Sequence, residues 1–447
     1  MLAGAGHGVE RSAERDRGMR PTASDVAAIV WLFSVLLARS EDLPHPTPRI
    51  SYEIPQEVDA PVDPDLNEIA VFDDYSWRLF IALNWPAMSG TRGVPDTNRS
   101  ILDGCNPDCM VVWETWKADY ELFERNGIEP TEWASFDGFT PCRDLPFEGS
   151  GYAMILGSFS DFSDFNQAGN GRFGGPLVAQ NRTYVRFEIR LNKLEYDFIR
   201  DRKLYRPGQL LTGAASNLRF PDNCISVKAA WKIIKDDELP AARGRFYMAD
   251  ALLLDPVTNT CSVQKMGLVG LHIVQKTKLR PQWVWSSFEH VDNVPEPGAP
   301  ALAVHQYSFN NPAKPQVLDP SAAPLPISKS NPPSSDPNPM QVIRIKKISE
   351  STKRTNEEYH ALLRGTVWEN YELVVTQWPK FPQPETENGA PFPGEFTGPK
   401  PMTNIANATM ETYSQKSAAT SCMGCHDVAR RKGSDFVWLL QLRPSGE

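Results

Sequence analysis

The chain has 447 residues and a mass of 50.0 kDa, room for roughly two or three domains. Hydrophobic residues make up 41% and charged residues 23%, the balance of an ordinary folded chain, which excludes a disordered polymer, a collagen-like repeat and a polytopic membrane protein. The net charge of -9, with no strongly basic run, sets nucleic acid aside as a partner.

The first feature in chain order is an apolar run over residues 26–38 (VAAIVWLFSVLLA), preceded by Arg20 and followed by Arg39-Ser40-Glu41-Asp42. At 13 residues it is short of the ~20 needed to span a bilayer and fits the apolar core of a secretory signal peptide over residues 1–40, with Met19 as an alternative start. Asp25 and a poor small-residue cleavage site are departures from that pattern, and an uncleaved anchor or a buried helix is the competing reading. Residues 41–64 carry six prolines and read as an extended lead-in.

An α+β body is expected over residues 65–378. The spacing predicts a helix from residue 66 through Leu83, broken before Pro86, with Trp77, Phe80 and Leu83 on one side. A second helix is predicted over 110–123, where Trp113, Trp116, Tyr120 and Phe123 recur every three or four residues. From about residue 151 the period changes to two. Strands are predicted over 184–191, 225–234, 245–254, 262–275 and 282–291, with a helix over 192–200. Few helix-length spacers separate these strands, so the sheet is expected to be mainly antiparallel. Residues 310–342 are rich in Pro, Ser and Asn and read as a surface loop. A strand over 342–348, a helix over 355–363 and a strand over 368–377 follow, and a second Pro-rich stretch runs over 379–401. The expected fold class is therefore α+β: an antiparallel β body with flanking helices and a short helical C-terminal segment over 379–447.

Seven cysteines occur, and the last two sit in Cys422-Met423-Gly424-Cys425-His426. C-x-x-C-H is the attachment motif of c-type haem. Two thiols one helical turn apart reach the two vinyl groups of one porphyrin edge, and the adjacent histidine falls beneath the iron as proximal ligand. One motif predicts one covalent haem c, held by Cys422, Cys425 and His426. A zinc site or a dithiol redox pair is the alternative, but no second Cys/His pair lies at zinc-finger spacing and the βαβ context of a redox pair is missing. No Met or His follows His426, so a distal ligand comes from upstream or the iron is open. Met410 and Met402 are the nearest candidates, with Met410 on a helix expected over 406–416. Core packing competes for Met410, and His360 and His305 are more distant candidates.

The other five cysteines favour disulfides if the chain is exported. Cys224 and Cys261 bracket two predicted strands, and Cys105, Cys109 and Cys142 share one region; connectivity does not follow from spacing. His290 ends a predicted strand between Glu289 and Asp292, with His272 on the neighbouring strand. A two-histidine site and a pair of hydrogen-bonded structural histidines are the two readings. Lys228 and Lys232 share a strand face and read as solvated, and Trp283 and Trp285 alternate onto one face as core or pocket lining. No Gly-rich phosphate loop, G-x-S-x-G elbow or H-E-x-x-H pair occurs.

In the stretches 112–117 (VWETWK), 227–232 (VKAAWK), 267–277 (GLVGLHIVQKT), 283–294 (WVWSSFEHVDNV), 371–379 (YELVVTQWP) and 410–426, the chain resembles a bacterial group of exported cytochrome c family proteins. These carry a large N-terminal region and one C-terminal C-x-x-C-H motif. The resemblance spans most of residues 70–440. It implies haem binding and electron transfer, and it implies no substrate.

Three function classes follow. The first is an exported monohaem cytochrome, periplasmic or secreted, that exchanges electrons with a redox partner protein and has no membrane span in its mature form. The second is a haem-dependent oxidoreductase with a substrate pocket in the body. The third is a haem-containing binding or sensor module.

Overall fold

Alternating residues at 186–191, 225–233 and 260–290 build the centre of the molecule, a mixed sheet whose strands follow chain order closely. In the computed structural model the described residues are 46–60, 69–104, 109–123, 127–135, 154–156, 162, 164–169, 174–207, 218–255, 257–258, 260–296, 306–314, 323–379, 381–385, 396–397, 407–415 and 421–442. The 26–38 run, Cys105, Cys142, His305 and Met402 lie outside them.

The strands are β1 (Lys117–Ala118), β2 (Met154–Leu156), β3 (Arg186–Leu191), β4 (Ile225–Ile233), β5 (Met248–Asp255), β6 (Thr260–Gln275), β7 (Val284–His290), β8 (Tyr371–Pro379) and β9 (Phe396–Thr397). The longer helices are α1 (Ile69–Leu83), α2 (Lys193–Asp201), α3 (Glu350–Leu362) and α4 (Cys422–Arg431). The sheet runs β1-β3-β4-β6-β7-β8-β9, and β5 pairs with the first half of β6. Every pairing is antiparallel except β2 with β5. The fold is α+β, as the alternating pattern predicts.

The two faces of the sheet do different work. On one face lies α1, buried nearly all round, its polar Asp73, Asp74 and Ser76 included. Trp77, Phe80 and Leu83 are fully buried, and the Trp77 and Phe80 rings pack on Phe288 at 5.1 and 4.4 Å between centroids. Ser76 bonds Ser286 and Thr376 at 2.7 and 2.8 Å, so these three buried hydroxyls are paired. α3 packs beside α1: Trp77 stacks on Tyr359 at 5.1 Å, and Tyr359 donates to Asp74 at 2.6 Å.

The opposite face carries the C-terminal segment. Residues 285, 287 and 289 of β7 point this way, alternating with Ser286 and Phe288. Ala408 N–H donates to Glu289 at 2.8 Å, and Asn407 donates to the Phe288 carbonyl at 2.8 Å. Glu289 is held in turn by the buried Arg344, which also reaches Glu372 at 2.8 Å. Glu289 thus anchors the C-terminal segment to the sheet.

Several expected elements differ. The 110–123 helix is not formed: residues Trp113–Thr115 make one 3-10 turn, then come β1 and a short helix, Asp119–Leu122. Its carbonyls are taken by side chains from elsewhere. Arg190 of β3 donates to Glu114 and Trp116 oxygens at 2.6 and 2.8 Å, and Arg92 donates to the Thr115 oxygen at 3.0 Å. Residues 342–348 alternate but form no strand: the Val342 and Arg344 N–H groups donate to the Phe309 and Pro295 carbonyls instead of to a strand of the sheet. The helix expected at 355–363 begins earlier, where Ser349 caps α3. Within 407–415 only Thr412–Ser414 forms a helical turn.

Cys224 is a buried free thiol, while Cys109 and Cys261 are each disulfide-bonded. A Cys224–Cys261 bridge is ruled out by register. Ile225 pairs with Gln275, and Cys261 lies 14 residues back along the same strand. That is roughly 45 Å of extended chain against a disulfide reach of about 7 Å.

Candidate functional site

Helix α4 starts at Ser421, whose side chain accepts from Gly424 N–H at 3.0 Å. Cys422 and Cys425 therefore fall on the first turn, one turn apart on the same side, and both are free thiols. Cys422 N–H donates to the Gln377 side chain of β8 at 2.8 Å, which ties the helix start to the sheet. Burial pushes both thiols up, and the Glu411 carboxylate adds to the shift.

His426 follows directly. Its Nδ1 lies 2.6 Å from the Phe436 carbonyl oxygen. A carbonyl only accepts, so Nδ1 carries the proton and Nε2 keeps its lone pair. The imidazole packs against Trp285 at 4.2 Å between centroids, and burial lowers its pKa to about 4. It is neutral at physiological pH.

The carbonyl that orients it belongs to an unusual loop. Asp435 and Phe436 have φ of 45° and 68°, and Gly433 has 87°. Left-handed backbone at two consecutive non-glycine residues requires outside support. Asp435 supplies it by accepting from Phe220 N–H at 2.9 Å and from Lys276 at 2.8 Å, both ionic side chains being fully buried.

Three more polar groups face α4. His272 sits opposite Lys228 and Ser287 in the sheet. Its Nε2 is buried without a hydrogen-bond partner, 3.6 Å from a Glu411 oxygen. Burial, reinforced by the nearby positive charge of Lys228, holds its pKa well below the usual range. Lys228 is half-buried: it lies over the Phe187 ring at 5.1 Å and donates to the Gln167 carbonyl at 3.2 Å, and burial lowers its pKa. Lys232 is buried and ion-paired to Glu238 at 2.7 Å. Burial raises Glu411 to about 7, and Lys228 opposes that rise.

The His272/His290 pairing is not made. Ser287 is the residue opposite His272, and His290 lies three residues further along β7, so its ring leaves the other face. His290 is satisfied locally. Nδ1 accepts from Asp292 N–H and Nε2 donates to the Arg245 carbonyl, both at 3.0 Å, and the ring stacks on Phe246. Trp283 precedes β7 with φ of 69° and packs toward Phe220, so only Trp285 faces α4. His360 sits on the α1 face, bonded to the Tyr371 carbonyl at 2.6 Å. Met410 is buried in an apolar cluster with Phe187 and Ala230.

The sequence singled out Cys422, Cys425 and His426. It did not single out Phe436, Gln377 or Glu411, and Gly433 was the sole local sign of the loop that aims His426. Among the described residues, no group of three or more His, Cys, Asp or Glu side chains converges to hold a metal ion. Among them too, no helix is long and apolar enough to cross a membrane. Comparison of the chain with protein-family models, with curated proteins and with solved structures gave no match.

Proposed function

We propose that the chain is an exported monohaem c-type cytochrome that transfers electrons to or from a redox partner protein. The observation that carries this reading is the arrangement at the start of α4. Two free thiols stand one turn apart, and the next residue is a histidine whose Nδ1 is already committed to the Phe436 carbonyl, with Nε2 left as the donor.

The residues fit the group. Cys422 and Cys425 would form the two thioether links, and His426 Nε2 would be the axial nitrogen. A bound haem supplies a one-electron iron couple. The Phe436 carbonyl fixes the imidazole plane and makes it a stronger donor, which would favour the oxidised form of a bound iron. Trp285 packs against that imidazole, and the α1 side of the sheet gives it a rigid support. Haem of this type is attached outside the cytoplasm, so the reading carries with it a periplasmic or secreted location and the signal-peptide role of residues 26–38.

A second reading, a haem-dependent oxidoreductase, is favoured by the polar trio Lys228, His272 and Glu411 facing α4. Such groups suit proton transfer to a bound substrate.

The test is expression in a host with a c-type haem-maturation system, followed by a pyridine haemochrome assay of the parent and of Cys422→Ala/Cys425→Ala. Covalent haem in the parent and none in the double variant is expected. No covalent haem in the parent would reject the reading.

A further inference from the structure

We infer that His272, from β6, is the second axial ligand of the iron that His426 binds. This rests on the haem reading above.

The sheet places His272 on the face that α4 covers. Trp285, against which His426 lies, belongs to the neighbouring strand β7, two residues from the Ser287 that pairs with His272. Four histidines lie in the described residues. Three of them have a ring nitrogen bound to a carbonyl: His290 to Arg245, His360 to Tyr371 and His426 to Phe436. His272 has no such bond, and its Nε2 is buried. The Glu411 oxygen at 3.6 Å is beyond hydrogen-bond range. A buried imidazole nitrogen without a partner is costly, and native structures rarely keep one without a use.

The surroundings also keep the imidazole in the ligating form. Burial, with the nearby Lys228 ammonium, disfavours a proton on His272, and a Glu411 oxygen lies 3.6 Å from its Nε2. A neutral imidazole is what iron binds. Two competing donors among the described residues are occupied. Met410 is packed among apolar side chains with its Cε toward Gly270, and Lys228 is engaged by the Gln167 carbonyl and the Phe187 ring.

The test uses the full chain matured with haem. A pyridine haemochrome first establishes covalent haem, and electron paramagnetic resonance and near-infrared magnetic circular dichroism then read the axial ligands of the ferric protein. The parent should be low-spin with two imidazoles and no methionine-sulfur charge-transfer band. His272→Ala should keep the same haemochrome yet turn high-spin, and added imidazole should restore the low-spin state. His272→Met should produce a histidine–methionine signature. A methionine band or a high-spin state in the parent, or an unaltered spectrum in His272→Ala, would overturn the assignment while leaving the haem in place. A parent with no haemochrome would overturn the haem reading and this assignment together. If His272→Ala does not accumulate, the parent's own signature and that of His272→Met decide.

Discussion

The Nδ1 of His426 and the carbonyl oxygen of Phe436 lie 2.6 Å apart, and the loop that makes this contact holds two consecutive non-glycine residues in left-handed backbone. The contact costs local strain and is maintained by an ion pair on the far side of the loop, between Lys276 and Asp435. The strained segment and its tether together determine which imidazole nitrogen is free.

That tether gives the first prediction. Lys276→Met leaves the Asp435 carboxylate buried beside Glu385 and Glu195 with its cation gone. The folded state should lose on the order of 3 kcal/mol, read by urea denaturation. A loss under about 0.5 kcal/mol would show that the loop is held by something else.

Gly270 marks where the C-terminal segment presses closest to the sheet. A Cβ there would collide with Thr409 Oγ1 and come within 3.4 Å of Met410 Cε. Gly270→Ala should cost about 1–3 kcal/mol. Adding Thr409→Ala should return part of that cost, because the colliding oxygen is removed. Strict additivity of the two changes in a double-mutant cycle would contradict the contact.

Stability should fall as pH rises through neutrality. Burial raises Glu195 from 4.5 to about 8, with Ser226 donating to both of its oxygens at 2.8 and 2.7 Å. A carboxyl whose folded pKa is raised binds its proton more tightly in the native state. Its contribution is therefore complete below about pH 4.5, the unfolded value, and is lost as pH rises through about 8. Glu195→Gln removes this dependence. Between pH 5 and 8 the parent should lose roughly 3 kcal/mol more than the variant in denaturant titrations. Parallel curves would contradict it.

The strands were legible because they alternate and because one face of the sheet is packed by α1 and the other by the C-terminal segment. The predicted strand at 262–275 and the observed Thr260–Gln275 differ only at the first residues. Helix α1 was legible from Trp77, Phe80 and Leu83. The false helix at 110–123 had the right aromatic spacing. What defeated it was invisible locally: Arg92 and Arg190, distant in sequence, claim the carbonyls a helix would need. The same holds for the site. Cys422, Cys425 and His426 announce themselves by adjacency. Phe436 acts through its backbone oxygen, which no side-chain pattern encodes. His272 was visible as a strand residue, but its partner across the sheet face depends on where α4 docks, and the Gln377 contact that docks it links residues 45 positions apart.

The most direct test of the central claim is the covalent haem content of the purified chain, measured by intact mass and pyridine haemochrome after co-expression with a c-type maturation system, beside a His426→Ala variant. One covalent haem per parent chain, with the parent's native visible spectrum altered in His426→Ala, is the predicted result. A parent that emerges without haem, while a control cytochrome matures in the same cells, would contradict it.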